Sequence, residues 1–257
     1  MALVKLFFKE ALKKIAEIKG ARVVLALDLQ ENVYTKPKNV RIGFRQALLA
    51  KAYDVVSAVE SYVVAVKIGL PLVLDVGLDG VEQLINSFKP KMLFICDFKI
   101  ADVGFINKLV VNQVFSTGFD AVIAHSAIGV EEGIKPISEL AHSLDKGVLA
   151  VCAMTHPGAQ NFLNKHFMEL LKLAYEAEVD GFILPATYPE YISEARRLYA
   201  DALILSPGVG VQGAAYGSAI KAGADFEIVG RAIYGASNPR KAAEDVVKAI
   251  EEATKQR

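Results

Sequence analysis

The stretch "DFKIAD" sets Asp97, Lys99 and Asp102 within six residues, directly behind the apolar run that begins at Met92. Charges at the end of a buried run are costly to desolvate unless they pair. Side chains at i and i+2 share one face of a strand, so Asp97 and Lys99 point the same way if strand geometry reaches residue 99. Asp102 follows three residues later, where period no longer sets its direction. Lys67 closes the β-rich run 63–67 and Asp28 closes the run 22–28. The set Asp28, Lys67, Asp97, Lys99 and Asp102 thus alternates in sign across three consecutive candidate strands. Two unit charges ~4 Å apart interact by roughly 4 kcal/mol at an effective dielectric near 20. Lysines between carboxylates let both acids stay ionised. Such a set can hold a carboxylate against a substrate anion and keep an ammonium ready to donate a proton. A purely structural ion-pair network closing off a barrel end is the alternative reading.

A second constellation speaks of phosphate. "SPGVGVQG" (206–213) and "IVGRAIYG" (228–235) bring glycines, Gln212 and Arg231 to the ends of two later apolar runs. Glycine backbone lets N–H groups approach an anion closely, and an arginine adds a bidentate contact. The expected substrate is a phosphate monoester whose other end reaches Asp97 and Lys99. His125 ends the run 121–125 and reads as a hydrogen-bonded core imidazole; His156 reads as a residue that positions its loop.

These residues need elements to hold them. Candidate strands fall at 22–28, 63–67, 92–97, 121–125, 148–152, 181–185, 202–206 and 227–230, with helical periodicity between them. Near-continuous apolar strands separated by helices imply parallel pairing with both sheet faces covered. Eight such units make a (β/α)8 TIM barrel. Asp28, Lys67, Asp97, His125, Thr155, Pro185, Ser206 and Arg231 lie at or just past the C-terminal ends, which converge on one mouth in a barrel. In that fold, phosphate is often bound by the loops after strands seven and eight.

The expected organisation is one domain, 1–257: an additional N-terminal helix over 1–20 packed on the outside, the barrel over 22–240, and a C-terminal helix over 241–257. The irregular segment 30–44 is either a solvated excursion or a cover over the ligand. The 29 basic and 29 acidic residues cancel, so nothing points to nucleic acid or an anionic membrane as partner. No run is long enough for a signal peptide or a membrane span. The two cysteines, Cys96 and Cys152, sit in apolar runs and read as reduced core thiols, so a cytoplasmic location is expected.

In order and spacing, "LALDL", "VKIGLPLVL", "DFKIADV", "MTHPGAQ", "SPGVGVQG" and "IVGRAIY" resemble the orotidine 5′-monophosphate decarboxylase family over 22–240. The resemblance implies a cofactor-free, metal-free decarboxylation of orotidine 5′-phosphate to uridine 5′-phosphate in pyrimidine nucleotide synthesis. Lys99 would protonate C6 and Asp97 would face the departing carboxylate. Asp102, with Val103 beside it, would reach the neighbouring site of a homodimer. Lys67 and Asp28 would hold ribose hydroxyls, and Thr155 the pyrimidine amide edge. Gln212, Gly230 and Arg231 would hold phosphate with backbone help around Gly210, and Pro185 completes the substrate-binding set. The family's usual Ile-Pro-x-Thr is here Val103-Gly104-Phe105-Ile106, and Ile106 lacks the hydroxyl that would reach ribose.

Two other functions compete. Metal-dependent sugar-phosphate enzymes of the same superfamily share a DxKxxDxG pattern, but they need an acidic magnesium ligand where this chain has Lys67. A non-catalytic phosphate-binding barrel would have no use for a proton donor between two carboxylates.

Overall fold

A computed structural model of the chain describes residues 7–255. The chain runs α1 (Phe8–Lys19), β1 (Val23–Ala26), α2 (Arg41–Val59), β2 (Ala65–Gly69), α3 (Leu70–Phe88) and β3 (Leu93–Ile100). It continues through α4 (Gly104–Ser116), β4 (Ala121–His125), α5 (Lys135–Ser143), β5 (Gly147–Val151), α6 (Phe167–Glu176) and β6 (Gly181–Ile183). The last units are α7 (Pro189–Leu198), β7 (Leu203–Pro207), α8 (Ser218–Ala222), β8 (Phe226–Val229), α9 (Arg231–Tyr234) and α10 (Pro239–Lys255).

The eight strands close into a barrel in sequence order, and β8 pairs with β1. Every pairing is parallel. Both faces of the strands are covered, which is why they read as continuous apolar runs rather than as alternating ones. Two cores result. One lies between strands and outer helices and includes Leu25, Val66, Phe94 and Val122. The other fills the barrel, with inward residues such as Val24, Ala65, Ile95, Ile123 and Leu149.

The expected barrel is therefore present, but the N-terminal helix is not packed on its outer wall. Phe8 and Leu12 are buried in the interior cluster, alongside Val24, Ala121 and Leu149. Helical spacing identifies an apolar stripe but not the surface it covers. Here the open bottom of the barrel is that surface. Gly147, at the start of β5, makes the plug possible: a Cβ there would lie 2.3 Å from the Phe8 ring. Lys19 then ties the helix to the end of α2, donating to the carbonyls of Glu60 and Val63. The C-terminal helix starts at Pro239, slightly before the expected 241, and buries Ala243, Val246 and Ile250 along one stripe. Residues 1–6 of the expected N-terminal helix and 256–257 of the C-terminal one lie outside the described residues.

The segment 30–44 forms two short 3-10 turns and enters α2. Asp75, buried in α3, gathers it by accepting the N–H groups of Glu31, Asn32 and Val33 at 2.7, 3.0 and 2.8 Å. None of its residues lines the cavity at the mouth. Among the described residues, no helix is long and apolar enough to cross a membrane.

Candidate active site

Inward-facing positions follow the strand period to the C-terminal ends. Ala65 and Lys67 share a face of β2, as Ile95 and Asp97 share one of β3. The register pairs Lys67 with Ile95 and Gly69 with Asp97, so the two charged residues stand on adjacent strands at nearly the same height. Lys67 Nζ lies 2.7 Å from Asp97 Oδ2 and 3.4 Å from Asp28 Oδ1. Lys99 Nζ lies 2.7 Å from Asp97 Oδ1, so each oxygen of Asp97 carries one ammonium. The centre of this chain is dry and its ends are wet: the Lys67 and Asp97 side chains are 8% and 10% exposed, those of Asp28 and Lys99 39% and 38%.

Lys99 does not reach Asp97 by regular strand geometry. Its φ is 48°, in the left-handed region, and the β3–β4 register shifts between Cys96 and Ile100. The bulge aims the ammonium back over Asp97. A non-glycine residue held there stores roughly 1–3 kcal/mol of strain, a cost that persists only where surrounding contacts enforce it.

Electrostatics keeps the centre ionised. Burial alone would push the Asp97 carboxyl up, but Lys67 and Lys99 overcome it and hold the group below the usual carboxylate range. Burial alone would pull the Lys67 ammonium down, but Asp97 and Asp28 outweigh it and leave it raised.

The cavity above is about 300 Å³. Of the expected residues, Asp28, Lys67, Asp97, Lys99, Thr155, Gln212, Gly230 and Arg231 line it together. Thr155 stands past β5, its methyl 3.3 Å from where a Cβ on Gly208 would sit, so the fifth and seventh loops touch. Arg231 and Gln212 are exposed on the rim, and their side chains make no ion pair or hydrogen bond with a described residue.

Four expected residues stand elsewhere. Pro185 is buried just past β6, and its carbonyl accepts the N–H of Tyr188 in a turn. The N–H of Gly210 is already donated to the Ala214 carbonyl. Asp102 and Val103 are exposed and lie outside the cavity lining. Ser206, a mouth residue by position, is buried with its hydroxyl on the Leu184 carbonyl. His125 is half-buried beside Lys99 and Asp97, and burial pulls its imidazole down. The expected hydrogen bond is absent: the ring finds no partner among the described residues. It ends its strand at the charged mouth, not within the apolar packing that a core imidazole needs. His156 is exposed and keeps only its loop role, accepting the Ala159 N–H through its carbonyl.

Two features of the cavity lie outside the sequence expectations. Ile123, Val151 and Ile183 form an apolar floor beneath the charges. Each is the last or penultimate inward residue of its strand, so alternation counted from Lys67 and Asp97 would have found them. Tyr234 also lines the cavity; burial first, and Asp28 second, push its phenol up. An apolar floor lowers the local dielectric and strengthens the charge interactions above it.

Residues 21–246 match the model of the family described as Orotidine 5'-phosphate decarboxylase / HUMPS family. The chain is 40% identical over 202 residues to the orotidine 5′-phosphate decarboxylase of Methanosarcina mazei, covering 78% of this chain and 90% of that one. The crystal structure of orotidine 5′-monophosphate decarboxylase from Sulfolobus solfataricus superposes with a TM-score of 0.77 at 32% identity, over 91% of this chain and 99% of that one. The Methanocaldococcus jannaschii enzyme complexed with the inhibitor BMP gives 0.76 at 29% identity, over 90% and 98%. The closed barrel, the charged chain at its mouth and these likenesses agree: the chain belongs to the orotidine 5′-phosphate decarboxylase / HUMPS family.

Proposed function

We propose that this chain decarboxylates orotidine 5′-phosphate to uridine 5′-phosphate in pyrimidine nucleotide synthesis, with Lys99 as the proton donor and no cofactor. The relatives carry that name, and the observation that supports the mechanism is the Lys67–Asp97–Lys99 chain lining a cavity whose far rim holds Arg231 and Gln212. The C6–carboxylate bond breaks, CO2 leaves, and the electron pair remains at C6. The Lys99 ammonium stabilises that developing charge without reorganisation and gives C6 its proton. Asp97, fixed by two ammoniums, faces the departing carboxylate. Lys67 and Asp28 take ribose hydroxyls, Thr155 the pyrimidine amide edge, and Gln212, Gly230 and Arg231 the phosphate. Gly210 contributes by shaping the turn before Gln212, since its own N–H is engaged. Remote phosphate binding lowers the barrier where its energy is realised in the transition state.

The site is shared between two copies of the chain. Asp102 is exposed, does not line its own cavity, and belongs to the partner's. Beside it in the chain Val103, Phe105 and Leu109 of the α4 region expose 61%, 68% and 52% of their surface, apolar area suited to a second copy. Ile106, on the same helix, supplies no hydroxyl across that interface. Lys67 also argues against a magnesium-dependent sister activity, because an ammonium paired with the carboxylates repels the ion. Cys96 and Cys152 are free and buried, as reduced thiols of a cytoplasmic protein would be.

Purified protein is expected to consume orotidine 5′-phosphate in EDTA with nothing added, followed as loss of its ultraviolet absorbance. A folded protein that turns over nothing under those conditions overturns the assignment.

A further inference from the structure

Asp102 has no regular element to hold it. It lies in the two-residue gap between β3 and the N-cap of α4, and it is exposed. Its position is nevertheless set, by a side chain fully buried beneath it. Asn107, 0% exposed in the first turns of α4, donates through Nδ2 to the Asp102 carbonyl at 2.6 Å. Its Oδ1 accepts the Asp102 N–H at 3.0 Å. The same Nδ2 donates to the Gly133 carbonyl at 3.1 Å, in the irregular turn Val130–Ile134 behind β4. Both backbone polar groups of Asp102 therefore close on one amide, and that amide is anchored to a different loop.

The anchor is tight. A Cβ on Gly104 would sit 3.0 Å from both Glu132 Oε2 and Pro136 Cγ, so the start of α4 is pressed onto the turn that Asn107 grips. Asp102 itself accepts the Val103 N–H through Oδ1 at 2.7 Å. Its Oδ2 has no hydrogen bond to a described residue, and the residue is exposed, so that oxygen is open to a ligand or another chain.

We infer that Asn107 is a positioning residue for the neighbouring subunit's active site: from within its own chain it sets the turn that presents Asp102 across the dimer. This rests on the shared-site reading above. Only an amide can satisfy the set, because it must accept from one N–H and donate to two carbonyls. An aspartate of the same size would face the Asp102 and Gly133 carbonyls with no proton to give. A serine would be too short to span both.

The test is subunit complementation with differently tagged chains. As a homodimer, Asn107→Ser is expected to lose roughly 10²-fold in turnover, the scale of a misplaced catalytic group, while product binding changes little and the chain stays folded at a lowered melting temperature. Each site of a mixed dimer takes Lys99 from one chain and Asp102 from the other. Lys99→Ala paired with Asn107→Ser should regain one site of wild-type rate, because that site draws Asp102 from a chain with intact Asn107. Asp102→Ala paired with Asn107→Ser should stay impaired at both sites. Wild-type turnover in the Asn107→Ser homodimer, recovery in the second pairing, or failure of the first would each overturn the inference. Lys99→Ala paired with Asp102→Ala is the control. If exchange is proven and that pair stays dead, the shared site itself fails, which is a different result from failure of the Asn107 pairings. Should Asn107→Ser not fold, the size-matched Asn107→Asp enters the same pairings with the same expectations.

Discussion

At one end of the cavity Asp97 and Lys67 are buried, doubly paired and locked before any ligand arrives. At the other, Arg231 and Gln212 are exposed, and their side chains make no hydrogen bond or ion pair with a described residue. The first end has already met the desolvation cost of its charges by pairing them, so it can act on developing charge at once. In the proposed function the second keeps its charge in water and gains its contacts when a phosphate arrives. On that proposal one end serves the chemistry and the other the capture, and substitutions should separate them.

The largest effect is expected at the locked end. Lys99→Ala should cut kcat by about 10⁴-fold, as loss of a positioned proton donor does, while binding of a uridine phosphate measured by calorimetry partly survives. Near-normal turnover would mean another group delivers the proton. Asp97→Ala should destabilise the fold by about 3 kcal/mol in denaturant, because Lys67 is left buried with only the more distant Asp28. An unchanged midpoint would show that the chain is not pre-locked. At the open end, Arg231→Ala should raise KM by roughly 10- to 100-fold with little change in unfolding, the scale of one lost charge-assisted contact. If it unfolds the protein instead, the contrast between the two ends collapses.

Smaller effects follow from pH. The depressed Asp97 contributes stability above its unfolded pKa of ~4 and loses it as pH falls through the lower folded value. The raised Lys67 contributes below ~10 and loses it as pH rises through the higher folded value. Their joint contribution should be flat between about pH 5 and 9, and a slope there that Asp97→Asn removes would contradict this. His125 gives the least. Its lowered folded pKa means the unfolded chain binds protons more readily, so stability should dip slightly as pH falls below ~6.5, and His125→Asn should flatten that dip.

Much of this arrangement is legible in the residues. β4 is found at its expected limits, and the other strands lie within a few residues of theirs. Strands buried on both faces leave continuous apolar runs, and a charge that ends such a run has few places to go but the mouth. Lys67 and Asp97 follow from their places at the ends of apolar runs. Lys99 does not: its approach to Asp97 uses a left-handed residue and a bulge that no period announces. Tyr234 sits in a four-residue helix too short to show periodicity, so its place on the cavity wall had no signal.

Amino-acid type and spacing by themselves determined the barrel, the order of its strands and the identity of the charges at its mouth. These depend on local alternation and on the cost of burying apolar or ionic groups, which every short segment carries within it. Only the folded structure decided that α1 plugs the bottom, that segment 30–44 is drawn aside by Asp75, and that Asn107 ties Asp102 to Gly133. Each of those contacts joins an element to a residue outside it. Their energies come from surfaces and hydrogen-bond partners that exist only once the whole barrel has closed.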